Sequence, residues 1–228
     1  MTARALALGA LLLAGGPLAA APKATKPTTK PTKVKPTPAA PAPTLDELLG
    51  QFRRAPGLEA KFHEEKHLAM LEAPLVTEGT IHFAPPRRLA RHATSPVAST
   101  LLIDGDQLQF GDADGRQSVD LGTNPVARLF VDTFVELLAG DRAGLERLFK
   151  VELAARPGGG WRMTLVPRVA PMDKVIKDLA LSGEGLALRE MDVRETSGDW
   201  THTVFSAVDV AHHYTPAELG RVFRLPGK

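Results

Sequence analysis

The sequence predicts a mainly-β fold with helices, an α+β domain in which one long antiparallel sheet curls and is covered by helices. Three observations carry this. From Leu58 onward, apolar Leu58, Ala60 and Phe62 alternate with polar Glu59, Lys61 and His63, a two-residue repeat. Short segments of strand character then recur, bounded by turn residues such as Asp104-Gly105 and Asp114-Gly115. Between two blocks of these segments, from Asn124 to about Phe149, the apolar residues follow a helical period instead.

The fold is expected over residues 44–228, preceded by two other segments. Residues 1–21 read as a secretory signal peptide. Arg4 supplies its positive end, Ala5 to Leu13 its apolar core, and Pro17-Leu18-Ala19-Ala20-Ala21 the small residues for cleavage. The apolar run falls short of the roughly 20 residues that span a bilayer. Residues 22–43 are a Pro/Lys/Thr/Ala-rich linker with five lysines and no acid. Such a segment cannot bury enough apolar surface to offset its ordering entropy, and is expected to act as an extended spacer. Its lysines could also touch anionic lipid, at about 1 kcal/mol for each one near a membrane surface.

These segments distort the charge. The chain has 28 basic and 26 acidic residues. Arg4 and the five linker lysines precede Thr44 and no acid does, so the folded part has 22 basic against 26 acidic residues, a net of −4. The basic pI therefore belongs to the linker, and the domain gives no support for nucleic-acid binding. There is no cysteine. Disulfides, thiol catalysis and lipid attachment at the signal-peptide junction are all excluded.

Each element has a local reason. Thr44-Leu45-Asp46-Glu47 is a capping box that opens a helix through about Ala55, ended by Pro56-Gly57. Leu45, Leu48, Leu49 and Phe52 mark one face of it. Strands are expected from Leu58, then over Thr77 to Phe83, Arg87 to Ala93, Ser99 to Ile103, Gln107 to Phe110 and Arg116 to Leu121. Asn124-Pro125 opens the second helix, with Val126, Leu129, Phe130, Phe134, Leu137 and Leu138 on its apolar face. Asp141 caps a third helix. Strands resume over Lys150 to Ala155, Trp161 to Val166, Val175 to Leu181, Leu186 to Glu195 and Asp199 to Val210. Trp200, His202, Val204, Ser206, Val208 and Val210 are expected to share one face. Some ten strands form a sheet that curls, and its apolar concave face needs the helices as cover.

Candidate chemistry is thin. His63-Glu64-Glu65-Lys66-His67 matches H-E-x-x-H, the zinc signature of metallopeptidases. That chemistry needs both histidines one helical turn apart on a helix. On a strand they stand roughly 13 Å apart, four residues at about 3.3 Å each. Met70 and Ala73 also occupy the places where a longer motif needs Gly and His. No metal and no cofactor is expected. Asp112-Ala113-Asp114-Gly115 resembles a calcium loop but has Thr123 where the bidentate glutamate belongs, and reads as a hairpin turn. His92 with Ser95 or Ser99 makes no convincing dyad. Nothing argues for an enzyme.

The order of the motifs resembles the outer-membrane lipoprotein carrier protein (LolA) family, in a divergent branch. Phe62 to Lys66 is similar to its F-x-x-x-K/R strand. Gly79 to Phe83, followed by Pro85 and Pro86, is similar to G-x-L/I-x-F with its proline. Leu89 to Pro96 ends in T-x-P, Leu101 to Gly105 closes in D-G, and Asn124-Pro125 opens the helical insert. Phe223-Arg224-Leu225-Pro226-Gly227 is similar to the family's closing motif. The resemblance implies an incomplete antiparallel β-barrel of about ten or eleven strands with a helical lid over an apolar cavity. It implies a monomeric periplasmic carrier that takes acyl chains of a lipoprotein or another lipid from an inner-membrane donor complex to an outer-membrane acceptor. In that family an arginine precedes the proline of the second turn and helps latch the lid. Here Pro85 stands in its place, with Arg87, Arg88 and Arg91 close by, and Arg91 where the family has an aromatic.

On that frame the expected cavity lining is Phe62, Ile81, Phe83, Leu89, Arg91, Leu101, Ile103, Met163 and Leu165 from the strands, with Phe130 and Phe134 from the lid. Three other readings stay open: a non-transporting lipid-binding sensor or adaptor, a carrier for a polyene or glycolipid, and a zinc hydrolase.

Overall fold

A computed structural model describes residues 43–185 and 187–225. The expected signal peptide, nearly all of the linker, and Pro226 and Gly227 of the closing motif lie outside the described residues, as does Leu186.

The chain enters through helix α1 (Leu45–Arg54). Its capping box forms in full: Thr44 Oγ1 accepts from the Glu47 amide, and the Glu47 carboxylate accepts from the Thr44 amide at 2.7 Å. Six strands follow: β1 (Leu58–His67), β2 (Leu75–Ala84), β3 (Arg88–Ser95), β4 (Ser99–Asp104), β5 (Gln107–Gly111) and β6 (Arg116–Asp120). Next come helices α2 (Pro125–Leu138) and α3 (Arg142–Leu148). The second strand block is β7 (Phe149–Arg156), β8 (Gly160–Pro167), β9 (Ile176–Glu184), β10 (Ala187–Glu195) and β11 (Trp200–Asp209). A short α4 (Met172–Val175) precedes β9, and α5 (Pro216–Val222) is the last element of the described chain.

All eleven strands form one antiparallel sheet in the order β6-β5-β4-β3-β2-β1-β11-β10-β9-β8-β7. Hairpins build each half, and the β1–β11 pairing joins the halves. The sheet is an open, incomplete barrel, and the helical insert between β6 and β7 covers its concave side. Asn124 caps α2 by accepting from the Ala127 amide at 3.0 Å, with Pro125 in the first turn. Helix α1 covers the second half, where Phe52 meets Trp161 edge to face at 6.3 Å. Gly140, at φ 66°, lets the α2–α3 turn press against the backbone of α1: a Cβ there would collide with the Leu49 carbonyl oxygen.

The structure corrects three expectations. Val175 belongs to α4, not to a strand. The most deeply buried residues of α2 include Ala127, Val131 and Val135, which the expected apolar face omitted. That face was read from large residues alone, whereas α2 is packed on more than one side. Val208 does not share a face with Trp200, His202 and Val204. A bulge centred on Ala207, at φ 50°, turns the strand over, and Val208 lines a cavity on the concave side.

Candidate functional site

Strand register decides which side chains meet on the concave face. Ala60 pairs with Ile81, Ile81 with Arg91, and Arg91 with Leu101. Leu58, Phe83, Leu89 and Ile103 form the neighbouring rung. On the other side Phe62 pairs with Phe205. Glu64 pairs with Thr203, Thr203 with Met191, Met191 with Leu181, and Leu181 with Met163. The alternating burial of β1 follows from this, with Leu58, Ala60, Phe62, Glu64 and Lys66 inside.

Two lobes lie between this face and α2. The first, with a cavity volume of ≈ 50 Å³, is bordered by Phe62, Glu64, Arg91, Leu101, Phe134 and Thr203 among others. The second, also ≈ 50 Å³, has a wholly apolar surface that includes Leu58, Ala60, Leu137, Leu138, Leu188 and Val208. Ile81, Phe134, Met191 and Phe205 border both, so Phe134 of the lid sits where the lobes meet.

Of the residues expected from the sequence, Phe62, Ile81, Leu89, Arg91, Leu101, Ile103 and Phe134 line the first lobe. Phe83, Met163 and Leu165 share the concave face but are buried in the core. Phe130 packs half-buried against that core and borders neither lobe. The sequence reading missed Glu64, Thr203, Phe205, Met191 and the lid residues Leu137 and Leu138 as wall. The β10 and β11 residues could have been found from pairing with β1, but no sequence signal announces that the last strand returns beside the first.

The first lobe holds a charge pair. Arg91 Nη2 donates to Glu64 Oε1 at 2.9 Å, with side chains 12% and 4% exposed. The Arg91 guanidinium lies over the Phe62 ring, 4.4 Å from its centre. Thr203 Oγ1 lies 3.5 Å from the second Glu64 oxygen. Burial pushes the Glu64 carboxyl above its ordinary range, against the pull of Arg91, Thr203 and Lys66.

At the rim, Arg87 in the β2–β3 turn donates to Asp132 on α2 at 2.7 Å. Arg128 approaches the other Asp132 oxygen at 3.8 Å and donates to Asp106 at 2.6 Å. Two hairpin turns of the sheet are thus tied to the lid, one through Asp132 and the other through Arg128. Pro85, where the resemblance placed an arginine, forms a Pro85-Pro86 turn, and the arginine two residues on makes the connection.

The H-E-x-x-H stretch lies on strand β1. His63 and His67 fall on the convex side with Glu65, whose two oxygens lie 3.5 Å from each. Glu64 points the other way, into the first lobe. Among the described residues no group of three or more His, Cys, Asp or Glu side chains is placed to hold a metal.

Residues 38–223 match the family described as outer membrane lipoprotein carrier protein LolA-like. The chain belongs to this LolA-like family. No curated protein matches it. Among solved structures, the LolA superfamily protein NE2245 from Nitrosomonas europaea is similar at 10% identity, over 78% of this chain and 97% of that one, with a TM-score of 0.41. The MucA/MucB complex of Pseudomonas aeruginosa is similar at 12% identity, over 80% of this chain and 63% of that one, with a TM-score of 0.47. Lipoprotein LppX of Mycobacterium tuberculosis is similar at 10% identity, over 72% and 94% of the two chains, with a TM-score of 0.40. The LolA-like family is one of carriers and is generally non-enzymatic. Among the described residues no helix is long and apolar enough to cross a membrane.

Proposed function

We propose that the protein is a periplasmic carrier that shelters acyl chains between the sheet and α2, and moves a lipoprotein or another envelope lipid from the inner to the outer membrane. The observation that carries this reading is the pair of lobes joined at Phe134 beneath a lid held at its rim by side-chain ion pairs. Residues 1–21 would direct export and be removed, residues 22–43 would act as a spacer, and residues 44–228 would be the carrier domain.

The energetics suit such a role. Each buried CH₂ contributes about 0.8 kcal/mol, so an apolar chamber needs little further chemistry to hold a chain. Each lobe measures ≈ 50 Å³. Ligand sites commonly measure about 300–1,000 Å³. Loading therefore requires α2 to move away from the sheet. An ion-paired rim allows that, because the Arg87–Asp132 contact can be exchanged for water at modest cost.

The test is native mass spectrometry of mature protein from its host's periplasm, with lipid extraction of the same sample. A bound species that releases an acylated peptide supports lipoprotein cargo. A bound free lipid supports a separate envelope-lipid pathway. Protein that carries nothing and takes up no added lipid would overturn the carrier reading.

A further inference from the structure

The concave face is not uniformly apolar. Next to the first lobe, Glu64, Thr77 and Thr203 form one buried rung, at 3%, 3% and 2% exposure. On the following rung Lys66 pairs with Thr201, and its ammonium lies 3.2 Å from Glu195. Thr201 is fully buried, and its Oγ1 has no hydrogen-bond partner among the described residues. The second lobe has no polar surface at all. The chamber is therefore amphipathic, with apolar residues around Leu137, Leu138 and Val208 and a polar strip at Glu64, Arg91 and Thr203.

Stability gives no reason for this strip. A buried ion pair recovers its desolvation cost only with good geometry and further hydrogen bonds, and apolar replacement of such a pair is often neutral or stabilising. Here the pair borders a chamber whose other walls are Phe, Leu, Ile and Met side chains, with Thr203. The guanidinium of Arg91 carries five N–H donors, and one of them meets Glu64. A hydrocarbon seated against this wall leaves the rest without an acceptor. A ligand oxygen supplies one.

We infer that the first lobe receives the acyl carbonyl end of an ester- or amide-linked lipid, with its oxygen accepting from Arg91, while the hydrocarbon extends into the second lobe. This rests on the carrier reading and names its substrate class: acyl esters or amides, not bare hydrocarbon or polyene. Glu64 holds Arg91 across the Phe62 ring and keeps the site from becoming a net cation that would select any anion. Two sources share this chemistry, the acylated N-terminus of a lipoprotein and a diacyl phospholipid.

The experiment measures uptake by the mature protein of four probes delivered from micelles: heptadecane, methyl palmitate, a dipalmitoyl phosphatidylglycerol and a dipalmitoylglyceryl-cysteinyl lipopeptide. The wild type is expected to take the carbonyl-bearing probes about tenfold or more tighter than heptadecane, the scale of a hydrogen bond to a charged group. A preference for the lipopeptide or for the phospholipid identifies the source, and either supports the inference. The double variant Glu64→Leu/Arg91→Met, which leaves no unpaired charge, is expected to bind the hydrocarbon and the methyl ester about equally. Equal uptake of both by the wild type, or undiminished discrimination in the double variant, would overturn the inference and leave the carrier reading standing. Uptake of none would overturn both. A palmitate ester with a diazirine at carbon 2 gives a readout that needs no variant. Crosslinks to Arg91, Thr203 or their strand neighbours support the assignment, and crosslinks confined to Leu137, Leu138, Leu188 and Val208 overturn it.

Discussion

Arg87 in the β2–β3 turn reaches Asp132 near the middle of α2, with 2.7 Å between Nη2 and Oδ1. Their side chains are 30% and 15% exposed, so water screens the pair only in part. In the proposed carrier role, the contact joins the two bodies that would separate for a chain to enter. Its strength therefore bears on the rate of loading and release more than on whether the fold forms.

Replacing Asp132 with Asn or Arg87 with Met should cost about 1 kcal/mol of stability and speed release of a bound acyl probe about fivefold. A double-mutant cycle in urea measures the coupling, and stopped-flow displacement of the probe measures release. Faster hydrogen exchange confined to residues 125–138 is the expected signature. Unchanged exchange there would show that the lid is held elsewhere.

Ile81 borders both lobes from the centre of the sheet. Ile81→Trp should fill the space where they meet, lowering acyl-probe affinity about tenfold or more while the protein still unfolds cooperatively. Overpacking of this kind costs about 1–3 kcal/mol. Native mass spectrometry with added lipid, alongside a thermal melt, separates a blocked chamber from a lost fold.

Much of this architecture was legible before the structure. The alternation of Leu58, Ala60 and Phe62 set the inward parity of β1, and pairing then carried Ile81, Arg91 and Leu101 to the same side. The inward turn of Glu64 was hidden, because His63 to His67 is polar at every position and alternation leaves no trace there. The bulge at Ala207 was hidden for a different reason: alanine carries no preference for the left-handed region it occupies. Helix α4 is a single turn, too short to show a period. The Arg87–Asp132 contact joins residues 45 positions apart, which composition and spacing do not relate.

Gly140 should tolerate no side chain. Gly140→Ala places a Cβ against the Leu49 carbonyl and at 2.7 Å from the Arg53 amide, in a backbone conformation with φ 66°. A loss of about 2 kcal/mol or more is expected. Gly105→Ala serves as the control, since φ is 58° there but nothing lies within 4 Å of the new methyl. Its cost should be about 1 kcal/mol. Urea midpoints for the two variants separate the steric collision from the backbone strain.

The convex face should carry a pH response through His82 and His92. Tyr214 donates to the Leu58 carbonyl at 2.8 Å and lies 3.2 Å from His82 Nδ1, while His92 Nε2 donates to the Val222 carbonyl at 2.9 Å. Both imidazoles thus help hold the segment around α5. Burial lowers both histidine pKa values, with the His92 and His212 charges adding to the effect on His82 and Glu59 opposing it. An unfolded histidine titrates near 6.5 and then binds more protons than the folded one. Their contribution to stability is therefore complete above about pH 6.5 and is lost as the pH falls through the lowered folded values. Between pH 7.5 and pH 5.5 the melting temperature should fall, and His82→Gln with His92→Gln should flatten that slope. An identical slope in the variant would assign the response to other groups.

The H-E-x-x-H stretch gives the last prediction. On a helix His63 and His67 would converge on one ion. On β1 each instead meets Glu65, and His67 also stacks on Trp200 with ring centres 3.8 Å apart. The Glu65 carboxylate lies between the two imidazoles, His63 Nδ1 meets Glu78 at 3.0 Å, and four strand residues set the two histidine backbones roughly 13 Å apart. Protein purified without an affinity tag should contain far less than one zinc per chain, and 1,10-phenanthroline should leave its melting temperature unchanged. Stoichiometric zinc that is lost together with stability in His63→Ala would overturn this reading of the motif.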